Sequence, residues 1–330
     1  MRKRQGKDGE QERVDGSSEE AANIAAAGES GIALAAELLR AGALVAMPTE
    51  TVYGLAADAG NAEAVARIFE VKGRPRFNPL ICHVTGSTAA AELAVIPPLA
   101  ERLMAAFWPG PLTLVLERRE GAPVAELVSA GLPTIALRAP AHTAARQLLF
   151  AVDRPLAAPS ANRSGRVSPT TAAHVAADLD GDVDLILDGG RCGVGLESTI
   201  LGVEGDSLAL LRLGAVTAED IRDATGVTPA FDSGGGINAP GQLARHYAPA
   251  TRLRLNATKR RPGEVLIGFG PVCGDFSLSP RGDLVEAAAR LFAVLRGADA
   301  AGAEAIAVAP IPEQGLGLAI NDRLRRAASA

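Results

Sequence analysis

Apolar positions along this chain switch repeatedly between helical and strand spacing, and the polar breaks tend to fall just after short apolar runs. Ile32, Leu34, Ala35, Leu38 and Leu39 recur at helical spacing, with Ser30 as the expected N-cap and Gly42 as the stop. The apolar run 43–47 then has the length of a buried strand. Asn61 opens a second helix through residue 71, with Val65, Ile68 and Phe69 on one face, and a strand over 79–84 follows. The same reading gives helices at 87–94, 98–107, 141–150 and 170–179, and strands at 112–116, 134–138, 155–158, 184–187, 199–203 and 208–213. Past residue 251 the alternation resumes, with strands at 264–268 and 305–308 and helices at 284–295 and 318–328.

Alternating strands and helices of this kind predict an α/β fold, whose ligands sit where strands end in loops. Two stretches break the alternation. Residues 1–29 are rich in Gly, Ser, Glu and Lys and have too little apolar surface to offset the entropy of ordering, so they read as a disordered tail. Residues 226–250 shift to Gly, Pro, Asn and Ser, including Ser233-Gly234-Gly235-Gly236 and Ala239-Pro240-Gly241, and mark a linker between a first domain at 30–225 and a second at 251–330.

Composition narrows the chemistry. Of 330 residues, 48% are apolar, enough for two cores, but only 3% are aromatic, which disfavours base-stacking platforms. The formal charge of -5 supplies no global field for nucleic acid, so any anion affinity is local. Cys82, Cys192 and Cys273 lie far apart without metal spacing, which predicts reduced thiols and no protein-ligated metal. With no apolar run of spanning length and no signal-peptide core, the expected location is the cytoplasm, without membrane association.

Local anion chemistry concentrates in Lys72-Gly73-Arg74-Pro75-Arg76-Phe77-Asn78, a stiff basic loop entering the 79–84 strand. On these residues alone it is either an anion-binding loop or a solvated basic turn. Other polar residues at or near strand ends extend the set: Thr51, His83, Arg138, Ser160, Asn162, Ser168, Ser198 and Arg212. His83 also reads as a satisfied core histidine, and Thr51 and Ser198 as turn caps. Arg138 and Arg212 end or interrupt apolar runs, so each needs a carboxylate from the protein or from a ligand; Asp188 is the expected internal partner of Arg138. The P-loop pattern is absent. Cations and hydroxyls at several loop ends suit phosphoryl or nucleotidyl transfer, which depends on positioning and charge stabilisation.

Six ordered motifs carry a resemblance: Pro48-Thr49-Glu50-Thr51-Val52-Tyr53-Gly54-Leu55; Lys72-Gly73-Arg74-Pro75 with Asn78-Pro79-Leu80; Trp108-Pro109-Gly110-Pro111-Leu112-Thr113; Ser160-Ala161-Asn162; Leu196-Glu197-Ser198-Thr199; and His246-Tyr247-Ala248-Pro249. Together they resemble the Sua5/YrdC family of L-threonylcarbamoyladenylate synthases, in its long two-domain form. The resemblance implies a YrdC-like twisted mixed sheet with flanking helices and a ligand cleft, followed by a smaller Rossmann-like α/β unit. It implies that L-threonine, bicarbonate and ATP give threonylcarbamoyl-AMP and pyrophosphate, the first step of tRNA N6-threonylcarbamoyladenosine synthesis. The product would pass to a threonylcarbamoyl-transferase complex acting on tRNA. Carried over by motif, Lys72, Arg74, Ser160 and Asn162 would be catalytic. Arg74, Asn78, Thr134, Ser160, Ser168, Arg212 and Tyr247 would contact ATP, while Thr51, His83, Arg138, Ala158 and Ser198 would hold L-threonine. Mg2+ would be held mainly by the substrate phosphates.

A rival reading is a double-stranded RNA-binding module without catalysis, motivated by the basic loops; weak RNA binding beside catalysis is a milder form of it. The acidic net charge and sparse aromatics count against it. An ATP-sensing regulatory subunit is a third possibility that composition leaves open.

Overall fold

The structure, a computed structural model, describes residues 23–179, 181–231 and 246–329. The expected disorder of residues 1–22 and the glycine-rich part of the linker, with Ser233-Gly234-Gly235-Gly236 and Ala239-Pro240-Gly241, lie outside these residues. An eleven-stranded mixed sheet fills the first part of the chain in the order β1-β8-β2-β3-β7-β4-β6-β5-β9-β10-β11. Its strands are β1 (Ile24–Ala26), β2 (Val45–Met47), β3 (Gly54–Asp58), β4 (Ile81–His83), β5 (Leu112–Glu117), β6 (Thr134–Arg138), β7 (Leu156–Ala157), β8 (Leu185–Asp188), β9 (Thr199–Glu204), β10 (Ser207–Arg212) and β11 (Ala230–Phe231). A four-stranded all-parallel sheet, ordered β12-β15-β13-β14, is built from β12 (Leu253–Arg254), β13 (Glu264–Gly268), β14 (Phe276–Ser277) and β15 (Ala305–Val308).

The helices divide the faces of the large sheet. Helices α1 (Glu29–Arg40) and α5 (Thr143–Val152) pack Ile32, Leu39, Leu148 and Leu149 against Val45, Met47 and Leu185 on one face. The opposite face packs against α2 (Ala62–Lys72), α3 (Ser87–Leu93), α4 (Pro98–Phe107), α6 (Ala172–Leu179) and α7 (Ala218–Thr225). Strand alternation then decides what remains. On β6, Ile135 and Leu137 enter the helix-covered core, so Thr134, Ala136 and Arg138 share the other face. Pairing of Ile81 and Val115 with Ala136, and of His83 with Arg138, carries that face across β4, β6 and β5. Ile81, Val115, Ala136 and Ile200 form a small apolar floor there, with polar side chains at the Arg138 end.

Several local expectations change. Residues 24–26 form a parallel edge strand on β8, inside the stretch read as tail. Ser30 is not a cap; Gly28 holds the N-cap position of α1 without a side-chain bond. Asn61 does cap α2, accepting from the Glu63 and Ala64 amides, and left-handed Gly73 ends it. Strand β3 hides in what reads as a polar turn: its Gly, Leu and Ala residues are buried on both sides, which removes the period-two alternation. Short β12 and β14, and helix α7 with its Thr217–Asp220 capping box, are likewise additions.

The C-terminal unit packs α8 (Leu284–Asp299) and α9 (Leu316–Ala328) into a core that also takes in Val52, Val167 and Leu196 from the first part of the chain and Tyr247 from the connection between the two. Gly195 lies so close to α8 that a Cβ there would stand 2.6 Å from the Ala288 and Ala289 backbone, at φ +73°. The substitution Gly195→Ala is therefore expected to cost roughly 1–3 kcal/mol of stability, through backbone collision and left-handed strain. Urea melts of the variant against the parent measure that loss.

Candidate active site

At the polar end of the uncovered face, loops from seven strand ends converge on one cavity. It is lined by Thr49, Thr51, Val52, Gly54, Arg74, Ile81, His83, Arg138, Ala158, Pro159, Ser160, Glu197, Ser198, Arg212, His246 and Tyr247. Arg138, at the end of β6, donates to Glu50 Oε1 at 2.5 Å, Thr51 Oγ1 at 2.9 Å and the Gly110 carbonyl at 3.2 Å. Burial works to raise the Glu50 pKa, but the Arg138 charge and hydrogen bond, with backbone amides, leave it below its ordinary value. Asp188, the expected partner, is engaged elsewhere by Tyr53 Oη at 3.3 Å and the Gly190 amide at 2.9 Å. Glu50 takes that role because it stands next to Thr51 in the same loop, directly over the β6 terminus.

Arg212 reaches back from β10 to the Ser198 carbonyl at 2.9 Å and its Oγ at 3.0 Å, while Ser198 Oγ also bonds Thr113 Oγ1 at 2.7 Å. Arg74 donates to Asn78 O at 3.1 Å, to Asn78 Oδ1 at 2.7 Å and to the Pro79 carbonyl at 2.7 Å. Its partners are all neutral oxygens among the described residues. Burial, and then the nearby Arg212 charge, push the Arg74 guanidinium down to about 9. That site is short of negative charge. The Asn78 side chain is fully buried and its Nδ2 has no partner among the described residues.

Lys72 stands apart from the cavity lining. Its ammonium donates to the Ser160 carbonyl at 2.5 Å and to the Asn162 carbonyl, and so ties the end of α2 to the loop after β7. Burial, and then Arg74, push its pKa well below the ordinary lysine value. Asn162 and Ser168 also lie behind the lining. Asn162 Nδ2 bonds the Arg163 and Arg166 carbonyls, and Ser168 Oγ donates to Glu197 Oε1 at 2.6 Å. Thr134 is two face positions along β6 from Arg138, roughly 13 Å at ~3.3 Å per residue. It lines a neighbouring groove of about 770 Å3 with Val115, Glu117, Gly202 and Leu211, on the same sheet face.

The cavity itself has a volume of only about 50 Å3. His246 and Tyr247 account for much of its cover. Tyr247 is 1% exposed at φ +63°, with its ring 4.0 Å from that of His246 and stacked on Phe292 of α8 at 5.7 Å. The sequence marks both residues, but it gives no sign that α8 and α9 hold them. Arg323 of α9 was invisible for the same reason: it reads as one more cation on an amphipathic helix, yet it is fully buried with its Cζ 5.2 Å from the Tyr247 ring centroid. Glu197 belongs to a recognisable motif, but its pairing with Arg323 spans 126 residues.

Among the described residues, no group of three or more His, Cys, Asp or Glu side chains is arranged to hold a metal ion. No described helix is long and apolar enough to cross a membrane. Cys82 and Cys192 are buried and Cys273 exposed, all three free.

A mixed sheet with one face left open, ending in a cation-lined cavity beneath a strap, defines a YrdC-like α/β protein. The Sua5/YciO/YrdC family, described as telomere recombination, matches residues 37–214, and the threonylcarbamoyl-AMP synthase C-terminal domain matches residues 216–329. The chain belongs to this family. It is 42% identical to the threonylcarbamoyl-AMP synthase of Pyrococcus abyssi, over 90% of this chain and 93% of that one. With the Bacillus subtilis threonylcarbamoyl-AMP synthase it shares 39% identity, over 90% and 92% of the two chains. The crystal structure of P. abyssi Sua5 complexed with L-threonine superposes with a TM-score of 0.85 at 40% identity, covering 93% of this chain and 97% of that one.

His83 supplies a pH test of the site's burial. Desolvation, and then the Arg138 charge, push its pKa down to about 3, against an ordinary value near 6.5 in the unfolded chain. Between those values the unfolded chain binds the extra proton, so stability falls as the pH drops from about 6.5 towards 3. In urea melts at pH 7 and pH 5, His83→Gln is expected to lose less stability on acidification than the parent. An equal loss would show that His83 is not held neutral by the fold.

Proposed function

We infer that this chain is a threonylcarbamoyl-AMP synthase, a nucleotidyltransferase that joins L-threonine, bicarbonate and ATP into threonylcarbamoyl-AMP with release of pyrophosphate and water. The observation that carries the reading at the site is Arg74, a buried cation facing the cavity whose partners among the described residues are neutral oxygens. A buried charge left without a carboxylate in the protein suits one supplied by a ligand.

The reaction needs three things from the protein. The threonine carboxylate needs a cation, and Arg138 at the Thr51 and His83 end of the cavity offers a guanidinium whose orientation is fixed by Glu50, Thr51 and Gly110. Ala158 and Ser198 bound the same space. The triphosphate needs charge neutralisation, for which Arg74 and Arg212 lie on the cavity wall with Ser160 beside them. The nucleoside needs a floor, and the apolar patch Ile81, Val115, Ala136 and Ile200 leads from those cations towards Thr134. A threonine carbamate is already an anion, so its oxygen can attack the α-phosphorus without a general base, and pyrophosphate leaves. Catalysis is then positioning and electrostatics in a space closed to water.

In this reading Lys72 and Asn162 act from behind. Lys72 fixes the backbone that presents Ser160, and Asn162 fixes the turn leading to Ser168, which in turn orients Glu197. Asn78 holds Arg74 and keeps its own Nδ2 for the nucleotide. Tyr247 covers the site. Magnesium would ride on the substrate phosphates, because Glu197 on the cavity wall and Glu50 beside Arg138 are each engaged by a guanidinium. The product would pass to a threonylcarbamoyl-transferase complex acting on tRNA, in the cytoplasm.

Supplying ATP, L-threonine and bicarbonate and measuring pyrophosphate should show release that depends on all three. Release unchanged without threonine would overturn the reading. In the same assay Arg74→Met is expected to lose about 100-fold or more in kcat/KM, the scale of removing one positioned charge donor. Near-parental turnover by a folded variant would remove Arg74 from the site.

A further inference from the structure

Glu197 poses a problem for a cavity meant to hold a polyphosphate. Its side chain lines that cavity among Arg74, Arg138 and Arg212, and a bare carboxylate there would repel the very ligand those cations attract. The chain solves this from its other end. Arg323, in α9, is fully buried and donates from Nε to Glu197 Oε2 at 3.1 Å, while Glu197 Oε1 accepts from Ser168 Oγ at 2.6 Å. Arg323 Nη1 is turned to Asp322 Oδ2 at 2.9 Å, and Nη2 has no partner among the described residues. The same guanidinium lies near the Tyr247 ring, which stacks on Phe292 of α8. Two helices of the C-terminal unit therefore grip the strap residue, and one of them also cancels the carboxylate on the cavity wall.

We propose that Arg323 is a positioning residue of the nucleotide site, contributed by the C-terminal unit: it neutralises Glu197 and fixes Tyr247, and so sets the affinity for ATP. This rests on the synthase reading. Although burial opposes its charge, the surrounding Tyr247, Glu197 and Asp322 side chains hold the guanidinium above its ordinary value, so it stays a cation throughout the working pH range. The arrangement gives the C-terminal unit a part in the reaction without any contact to the reacting atoms. Threonine, bound at the Arg138 end among Thr51 and His83, should feel little of it.

The proposal separates from simple interdomain glue because the two partners of the ion pair have opposite effects. Breaking a structural pair from either side damages the fold in the same direction. Here Arg323→Met leaves an uncancelled carboxylate on the cavity wall, whereas Glu197→Gln leaves an uncancelled cation. We expect ATP affinity, read by calorimetry on the full chain, to weaken at least tenfold in Arg323→Met and to hold or tighten in Glu197→Gln. The double variant should return to within about threefold of the parent, and Arg323→Lys should stay close to it. Steady-state kinetics should place the Arg323→Met defect in KM for ATP, with KM for threonine changed less than twofold. Equal weakening in both single variants, no rescue in the double variant, or equal rises in both KM values would overturn the proposal. Because calorimetry needs no turnover, a parent that binds ATP but releases no threonine-dependent pyrophosphate would reject the synthase reading while leaving the Arg323 test intact.

Discussion

Burying guanidinium groups is costly unless each finds a matching oxygen, and that constraint organises this molecule. Arg138 takes Glu50, Arg323 takes Glu197, and Lys72 takes two backbone carbonyls. Arg74 settles for the oxygens of Asn78 and Pro79. Each pairing fixes a loop as well as a charge. Glu50 brings the turn after β2 to the end of β6, Lys72 brings the end of α2 to the loop after β7, and Glu197 brings the turn before β9 to the last helix of the chain. The cavity is the space these loops enclose once their charges are arranged, and its positive character is what the pairings leave over.

The sheet supplies the other half of the arrangement. Its β2, β3 and β8 side is covered by helices on both faces, whereas β4, β6, β5 and β9 have helices on one face only. On a half-covered sheet, alternation along each strand puts every second residue on the free face. The residue order on that face therefore matters. On β6 it runs Thr134, Ala136, Arg138, from polar through small and apolar to cationic. The small central side chain leaves a shallow trough, and the residues paired across it, Ile81 and Val115, keep it apolar. A ligand with an acidic group at one end and a flat, weakly polar group at the other matches this gradient.

What could be read beforehand follows from range. Elements with a clear local period were legible: α2 with its Asn61 cap, β6 with its apolar run ending in Arg138, and α8 from its run at 284–295. The elements that escaped notice were those whose cause is non-local. Strand β3 has no alternation because both of its faces are covered, and β1 is ordered only by pairing with β8, more than 150 residues away. The site divides the same way. Motif residues within loops were visible as a cation-and-hydroxyl set, but Asp188 could not be told from Glu50 as the Arg138 partner without the fold. Nor could Arg323 be distinguished from its neighbours Arg325 and Arg326, which remain partly or largely exposed.

The strap completes the logic. Tyr247 adopts a left-handed backbone that a non-glycine residue holds only under constraint, and the constraint comes from Phe292, Arg323 and the bond from the Ala248 amide to the Gly165 carbonyl at 2.8 Å. The roughly 50 Å3 beneath it has room for a few water molecules, far below the several hundred Å3 that a nucleotide-sized ligand occupies. The His246 and Tyr247 side chains line this space and cover the cation-rich end of the trough. Burial first, then the charges of Arg74, Lys72, Arg212 and Arg323, hold the His246 pKa well below its ordinary value, so the covered site favours a neutral imidazole among cations. The C-terminal unit holds the strap through α8 and α9 and cancels Glu197 through the same Arg323, so both the cover of the cavity and the charge balance of its wall are set from a residue 126 positions beyond Glu197 in sequence.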